Sequence, residues 1–266
     1  MELLQGAVTE LANVIVRREP PAARLTLNRP DKRNALSLEL MREATGVLRE
    51  LGRDAEVRAI VIEGAGPGFC GGHDLAEMVG RDVAFYQELF DACTEMMETI
   101  HKLPQPVIAR VHGIATAAGC QLVATCDLAV ASEEARFGTS GVKTGLFCST
   151  PGVAVSRTIG RKHALEMLLT GELIDAPTAL RWGLVNRVVP TDVLDETVQE
   201  FVDAIARLSP LALAVGKEGF YGQIELDEHR AYELTKTVMT TNSLAEDAQE
   251  GFCAFLEKRP ATWKGK

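Results

Sequence analysis

Apolar and polar positions change period along the chain, and the changes mark its elements. Val14 to Arg17 and Arg24 to Leu27 are short β-branched or alternating runs on either side of Glu19-Pro20-Pro21, which predicts an opening strand pair joined by a turn. After a proline-asparagine loop at Asn28 to Asn34, Leu38, Met41, Ala44, Val47, Leu48 and Leu51 recur at helical spacing, with Ser37 where an N-cap belongs. Arg58 to Ile62 predicts a buried strand that runs into a loop holding Gly64, Gly66, Gly68, Gly71 and Gly72. A short helix from Asp74 to Met78 follows, then a long one over Asp82 to Leu103, stopped by Pro104 and Pro106. Val107 to Val111 and Leu128 to Ala131 predict further strands, with a helix ending near Cys126 between them. This alternation argues for an α/β core of largely parallel strands. From Arg161 onward the pattern is helical, interrupted by one short strand at Leu184 to Val189. No shift in composition separates two domains. The chain reads as a single domain, with a core over residues 1–200 and a helical region over 201–266 whose amphipathic faces cover a partner subunit.

Composition narrows the classes. At 266 residues, 46% hydrophobic and 24% charged, the chain can bury a sizeable core, and disorder is excluded. A net charge of −9 repels a phosphate backbone, so no nucleic-acid partner is expected. No run approaches 18 apolar residues and Met1 to Glu10 lacks the basic start of a signal peptide, which predicts neither membrane insertion nor export. Six scattered cysteines without a CxxC pair read as reduced thiols in a cytoplasmic protein. Cys120 and Cys126 have no histidine at zinc spacing, so no metal is expected.

Gly66-Pro67-Gly68-Phe69-Cys70-Gly71 matches GxGxxG after a strand, but a dinucleotide unit needs a second strand ending in an acidic residue roughly 20 residues on, where this chain has its long helix. No Gly-Lys-Ser/Thr follows, which excludes a phosphate loop. Gly71-Gly72-His73-Asp74 instead brings backbone to a helix start, where free N–H groups can donate to a developing oxyanion, and Gly113 to Gly119 does the same. Two such starts can converge on one carbonyl; taken singly, each is a tight turn. Among the histidines, His73 lies in the glycine loop, His112 reads as a satisfied core residue, and His101, His163 and His229 as helix-surface residues. Ser140 lacks the GxSxG setting of a hydrolase nucleophile.

Leu27-Asn28-Arg29-Pro30-Asp31-Lys32-Arg33-Asn34-Ala35-Leu36 resembles the N-terminal CoA-binding signature of the crotonase, or enoyl-CoA hydratase/isomerase, superfamily. Phe69 to Leu75 is similar to its FCAGADL loop, and Arg110 to Asp127 to the segment holding its GGGCEL run. Ala135 to Gly138, Leu168 to Gly171, Gly183 to Val185 and Glu250 to Arg259 extend the match in order along nearly the whole chain. Ala115 to Leu122 and Gly145 to Gly152 look most like the enoyl-CoA hydratase domain-containing protein 3 branch.

The resemblance implies an α/β spiral of β-β-α units with a helical C-terminal trimerisation region, assembled as a homotrimer or as a hexamer of paired trimers. It implies an acyl-CoA substrate, with coenzyme A as part of that substrate and no separate cofactor. The thioester oxygen would accept the backbone N–H groups of His73 and Ala118. CoA would lie against Lys32, Ala35, Leu36, Gly72, Asp74 and Leu75, with Phe255 and Lys258 reaching it from a neighbouring subunit. The two glutamates of family hydratases fall here on Gln121 and Gly141. Glutamine orients water without taking its proton and glycine offers neither function, a loss worth about 10²–10⁴ in rate for each acid or base. The expected activity is therefore enolate stabilisation within this class, with weak hydration that paired Gln121→Glu and Gly141→Glu changes raise provided Gly141 has no positive φ. The alternative is an acyl-CoA-binding protein with little turnover. Glu77, Asp74, His73, Lys143 and Cys148 are candidate substitute groups near the matched segments.

Overall fold

The structure, a computed structural model, describes Leu4 and residues 7–266; the remainder of the Met1 to Glu10 segment read for a leader lies outside the described residues. Strands β1 (Val8–Glu10), β2 (Val14–Glu19) and β3 (Ala22–Leu27) pair antiparallel, with Pro20-Pro21 at the predicted turn. Helix α1 (Leu38–Leu51) starts where Ser37 Oγ accepts the Leu40 N–H. Strand β4 (Ala59–Gly64) pairs parallel with β3, and after α2 (Leu75–Met78) and α3 (Val83–Lys102) it receives β5 (Val107–Val111). Then come β6 (Ile114–Thr116), α4 (Ala118–Thr125), β7 (Leu128–Ser132), β8 (Arg136–Gly138), α5 (Ser149–Thr158), α6 (Arg161–Thr170), β9 (Ile174–Asp175), α7 (Ala176–Trp182) and β10 (Arg187–Val189). The last four helices are α8 (Leu194–Ala206), α9 (Pro210–Gln223), α10 (Glu228–Ser243) and α11 (Glu246–Glu257).

The large sheet runs β1-β2-β3-β4-β5-β7-β10 and is parallel from β3 onward. Every residue of β4 is buried because both faces are covered: Ile60 and Ile62 pack in the cluster with α1 and α3, while Ala59 and Val61 meet Leu194, Val198 and Val202 of α8. That is why Ala59 to Ile62 is a continuous apolar run and not an alternation.

The sequence pattern missed β1, β6, β8, β9 and α5. Strands β6, β8 and β9 have two or three residues each, too few for a period to register, and form a second sheet in the order β6-β8-β9. Single bridges prolong it: Cys70 pairs with Ala115 of β6, and His73 pairs with Leu36. Each pass of the chain thus leaves a large-sheet strand, touches the small sheet and enters a helix. Successive passes stack their helix starts side by side, and that repeat positions the site.

The division expected at residue 200 falls inside α8, whose Leu194, Val198, Val202 and Ile205 form one face on the large sheet, so the C-terminal helical set is α9 to α11. Lys217 of α9 anchors that set. Its ammonium is nearly fully buried and donates to Asp127 Oδ2 at 2.6 Å and to the Ile100 and Gln105 carbonyls at 2.8 and 2.9 Å. The Tyr221 hydroxyl completes the arrangement on Asp127 Oδ1. His101, expected on the surface, is half-buried, stacks on Tyr221 at 3.9 Å and bonds to the Thr125 carbonyl. His163 likewise stacks on Trp182 at 4.2 Å.

Candidate active site

Asn34 is fully buried, and its Nδ2 donates to the carbonyls of Ala65, Gly68 and Phe69 at 2.8, 2.9 and 3.2 Å while its Oδ1 accepts the Arg29 N–H. Arg29 reaches the other way, donating to the Ala35 carbonyl at 2.7 Å and to the Asp74 carboxylate at 2.8 Å. These two side chains tie the first signature to the glycine loop. Nothing in the periodicity marks them as buried, so the sequence reading passed over their roles. Asp74 also caps α2 through Ala76, so its carboxylate is committed to Arg29 and the helix start.

Two backbone donors are left over from the small sheet. The Leu36 N–H donates to the Gly72 carbonyl at 2.7 Å and the Asp74 N–H to the Leu36 carbonyl at 3.2 Å, which consumes the groups on either side of His73. The Thr116 N–H goes to Cys70 and the Ala117 N–H to Gly138, after which α4 begins. Neither the His73 N–H nor the Ala118 N–H has a hydrogen-bond partner among the described residues. The two loops touch. Gly72 has φ +94°, and a Cβ built there would lie 2.8 Å from the Ala117 Cβ and 3.4 Å from the Ala118 nitrogen.

Ala117 has φ 52° and ψ −120°, a conformation that costs an alanine about 1–3 kcal/mol and that turns β6 sharply into α4. An Ala117→Gly variant is expected to be more stable by about 1 kcal/mol, the released strain exceeding the added chain entropy. Chemical denaturation measures it; an equal or lower stability means that the turn is unstrained.

Two cavities meet at these donors. The inner one, of about 250 Å³, is lined by Ala118, Gly141 and Cys148 and by the apolar side chains of Leu75, Met78, Phe90 and Phe147. No carboxylate, lysine or arginine is among its lining residues. The outer groove, of about 260 Å³, is lined by Lys32, Arg33, Ala35 and Asp74, and it shares Gly71, His73 and Leu75 with the inner cavity. The structure thus brings together eight of the expected positions, with Gly72 at the loop contact. Leu36 is fully buried and contributes backbone pairing only. Gln121 is buried in α4, away from the lining, with its amide oxygen 3.8 Å from the Cys93 thiol that donates to it. Phe255 and Lys258, at the end of α11, line neither cavity of this protomer. Of the substitute candidates, Glu77 accepts the Leu38 N–H and Lys143 pairs with Glu172.

Gly141 sits in a closed turn. Its carbonyl accepts the Leu146 N–H, its N–H donates to Cys148 Sγ at 3.3 Å, and a Cβ there would lie 2.4 Å from the Leu146 carbonyl oxygen and 2.7 Å from that sulfur. Its φ is not positive. The expectation that φ decides whether a side chain fits is therefore corrected: backbone crowding forbids one. Burial also pushes the Cys148 thiol up, against a weaker pull from the Gly141 N–H, and keeps it protonated.

Burial lowers the pKa of His73, and a weaker influence of the Leu36 carbonyl, short of a hydrogen bond, works the other way. His101 is lowered chiefly by burial too, against the nearby Asp127 carboxylate. The unfolded chain therefore binds protons that the folded chain refuses. Stability is full above the ordinary histidine pKa of about 6.5 and falls as the pH drops below it. Melting curves across that window test the sign, and His101→Phe, which retains an aromatic ring against Tyr221, should shrink the fall.

A family model described as enoyl-CoA hydratase/isomerase matches residues 18–266. The rat protein named enoyl-CoA hydratase domain-containing protein 3, mitochondrial, is 44% identical over 97% of this chain and 86% of its own length. A crystal structure of a Mycobacterium smegmatis enoyl-CoA hydratase superposes with a TM-score of 0.93 at 49% identity, covering 95% of this chain and 99% of that one. The human enoyl-CoA hydratase domain-containing protein 3 structure gives 0.91 at 44%, covering 94% and 100%. The fold is accordingly crotonase-like, and the branch resembled is the one that the rat and human relatives carry in their names. The cytoplasmic expectation is overturned: the rat, mouse and human relatives matched here are named mitochondrial, and scattered reduced thiols do not distinguish the cytosol from another reducing compartment.

Proposed function

Since the chain belongs to the enoyl-CoA hydratase/isomerase family, we propose that it binds an acyl-CoA thioester with the thioester oxygen between the His73 and Ala118 N–H groups and stabilises the enolate formed there. One observation carries this: two unpartnered backbone donors on touching loops, where an inner apolar cavity meets an outer groove. The acyl chain occupies the inner cavity and the CoA portion the groove, with Lys32 toward its phosphates. Donors fixed by the fold need no reorganisation as charge moves onto the oxygen, so the stabilisation is greatest in the transition state.

Hydration also needs a group that activates water and one that delivers a proton. With no carboxylate lining the inner cavity, crotonyl-CoA hydration is expected below the usual enzyme range of roughly 1–10³ per second. The same feature favours a second reading, an acyl-CoA-binding protein with little turnover. A thermal-shift panel of acyl-CoA esters, followed by mass spectrometry of each binder, separates the two. Stabilisation with conversion supports the enzyme and stabilisation without it the binding protein, whereas no shift with any ester removes both.

The proposed assembly is a homotrimer or hexamer, with Phe255 and Lys258 reaching a neighbour's CoA. Phe255 is 83% exposed, Leu244 79% and Leu256 78%, more apolar surface than a lone chain usually leaves wet. Light scattering should return a mass of three or six chains; a stable monomer would remove the cross-subunit role.

A further inference from the structure

We propose, on the acyl-CoA reading of this site, that its ligands are 3-oxoacyl thioesters bound as enolates, with the thioester oxygen on the His73 and Ala118 N–H groups and the C3 oxygen on the hydroxyl pair of Thr116 and Ser140. The two hydroxyl oxygens are 2.8 Å apart, and either can be the donor. Neither has another hydrogen-bond partner among the described residues. Two hydroxyls carry two protons and their mutual bond uses one, so in either arrangement one O–H is left to donate. No acceptor of the fold takes it. Both residues are half-buried, with Ser140 lining the inner cavity and Thr116 the outer groove, so the pair spans the junction of the two. A ligand oxygen in the inner cavity draws the arrangement in which Thr116 donates to Ser140 and Ser140 donates to the ligand.

The small sheet fixes this pair beside the oxyanion donors. Thr116 ends β6 opposite Gly138 of β8, the Ala117 N–H donates to the Gly138 carbonyl at 2.8 Å, and the next residue is the donor Ala118. Ser140 stands just beyond Gly138 on the same segment. Other hydroxyls of the inner wall are spent or stand elsewhere: Thr144 donates to the Gly141 carbonyl at 2.9 Å, Ser149 turns to the Phe147 carbonyl, and Thr150 belongs to α5. Only the Thr116–Ser140 pair is joined to the donor strand.

The chemistry missing from the inner cavity selects the same class. No carboxylate lines it, burial keeps the Cys148 thiol protonated, and both His73 ring nitrogens are buried away from its surface. Removing the C2 proton of an ordinary acyl thioester is slow without a side-chain base. A C2 proton between two carbonyls is far more acidic and leaves to water. The C–H electron pair is then shared by two oxygens, one on the backbone donors and one on the spare O–H. Nothing is oxidised or reduced, and reprotonation at C2 restores the ketone. Donors already in place at both oxygens favour the anion over the neutral ligand.

The test uses the full-length protein with 3-oxohexanoyl-CoA, 4-oxohexanoyl-CoA and hexanoyl-CoA, reading affinity by calorimetry and the enolate by its near-ultraviolet absorbance. Wild type is expected to bind the 3-oxo thioester about 10–100-fold more tightly than the other two, the gain that a hydrogen bond to a charged group brings, and to show the enolate band at neutral pH. Ser140→Ala should remove most of that preference while hexanoyl-CoA affinity changes by no more than about twofold, and Ser140→Thr, which keeps the hydroxyl, should retain it. Equal binding of the three thioesters, absence of the enolate band, or a preference that survives Ser140→Ala overturns the proposal. Should the alanine variant unfold, wild type decides: a 4-oxo thioester bound as tightly as the 3-oxo one overturns it, and a 3-oxo preference with the enolate band supports it. Failure to bind any acyl-CoA is a different result and removes the underlying reading as well.

Discussion

Replacing Gly72 with alanine is expected to slow enolate formation by about 10²–10³-fold, the loss that follows when one oxyanion donor is displaced. The added methyl would meet Ala117 at 2.8 Å and the Thr116 carbonyl at 3.1 Å, close beside the Ala118 N–H, in a residue whose φ of +94° already suits glycine alone. Pushing the loops apart separates the two donors, and strain with overpacking should lower stability by about 2–4 kcal/mol. Deuterium uptake into hexanoyl-CoA and denaturant melting measure the two effects. An alanine variant with unchanged exchange would show that the loops do not act together.

The paired Gln121→Glu and Gly141→Glu variant is expected to gain no hydration. Residue 141 lies within a turn that closes Leu146 onto it, and a Cβ 2.4 Å from a backbone oxygen cannot be accommodated by rotating a side chain. The turn must open, at a cost of about 1–3 kcal/mol or more, and the cavity wall moves with it. Glutamate at 121 adds a carboxylate that is buried beside Cys93, where desolvation favours its protonated form. Crotonyl-CoA turnover of the pair should stay within about tenfold of the unaltered protein, with a lower melting temperature. A pair that melts normally and hydrates crotonyl-CoA at a typical enzyme rate contradicts this.

The sequence carried the long elements because their periods are long. The sustained apolar spacing in α1 and α3, the Ser37 cap, and the apolar run that opens β4 read correctly within a few residues. The small sheet was invisible, since β6, β8 and β9 have too few residues to show alternation and Cys70 and His73 join it by single bridges. The donors His73 and Ala118 were reached by resemblance, and their free N–H groups follow from that unseen sheet. Two features had no sequence signal at all: the commitment of Asp74 to Arg29, and the Leu146 carbonyl that occupies the space beside Gly141. Both are contacts between segments that only the folded chain brings together.

In the proposed complex two backbone N–H groups polarise a thioester carbonyl. Difference infrared spectroscopy of hexanoyl-CoA labelled with ¹³C at the carbonyl reads that bond directly. The carbonyl band is expected to move to lower frequency on binding and back toward its free position in Gly72→Ala. A bound ligand whose carbonyl band stays at its position in water would contradict it.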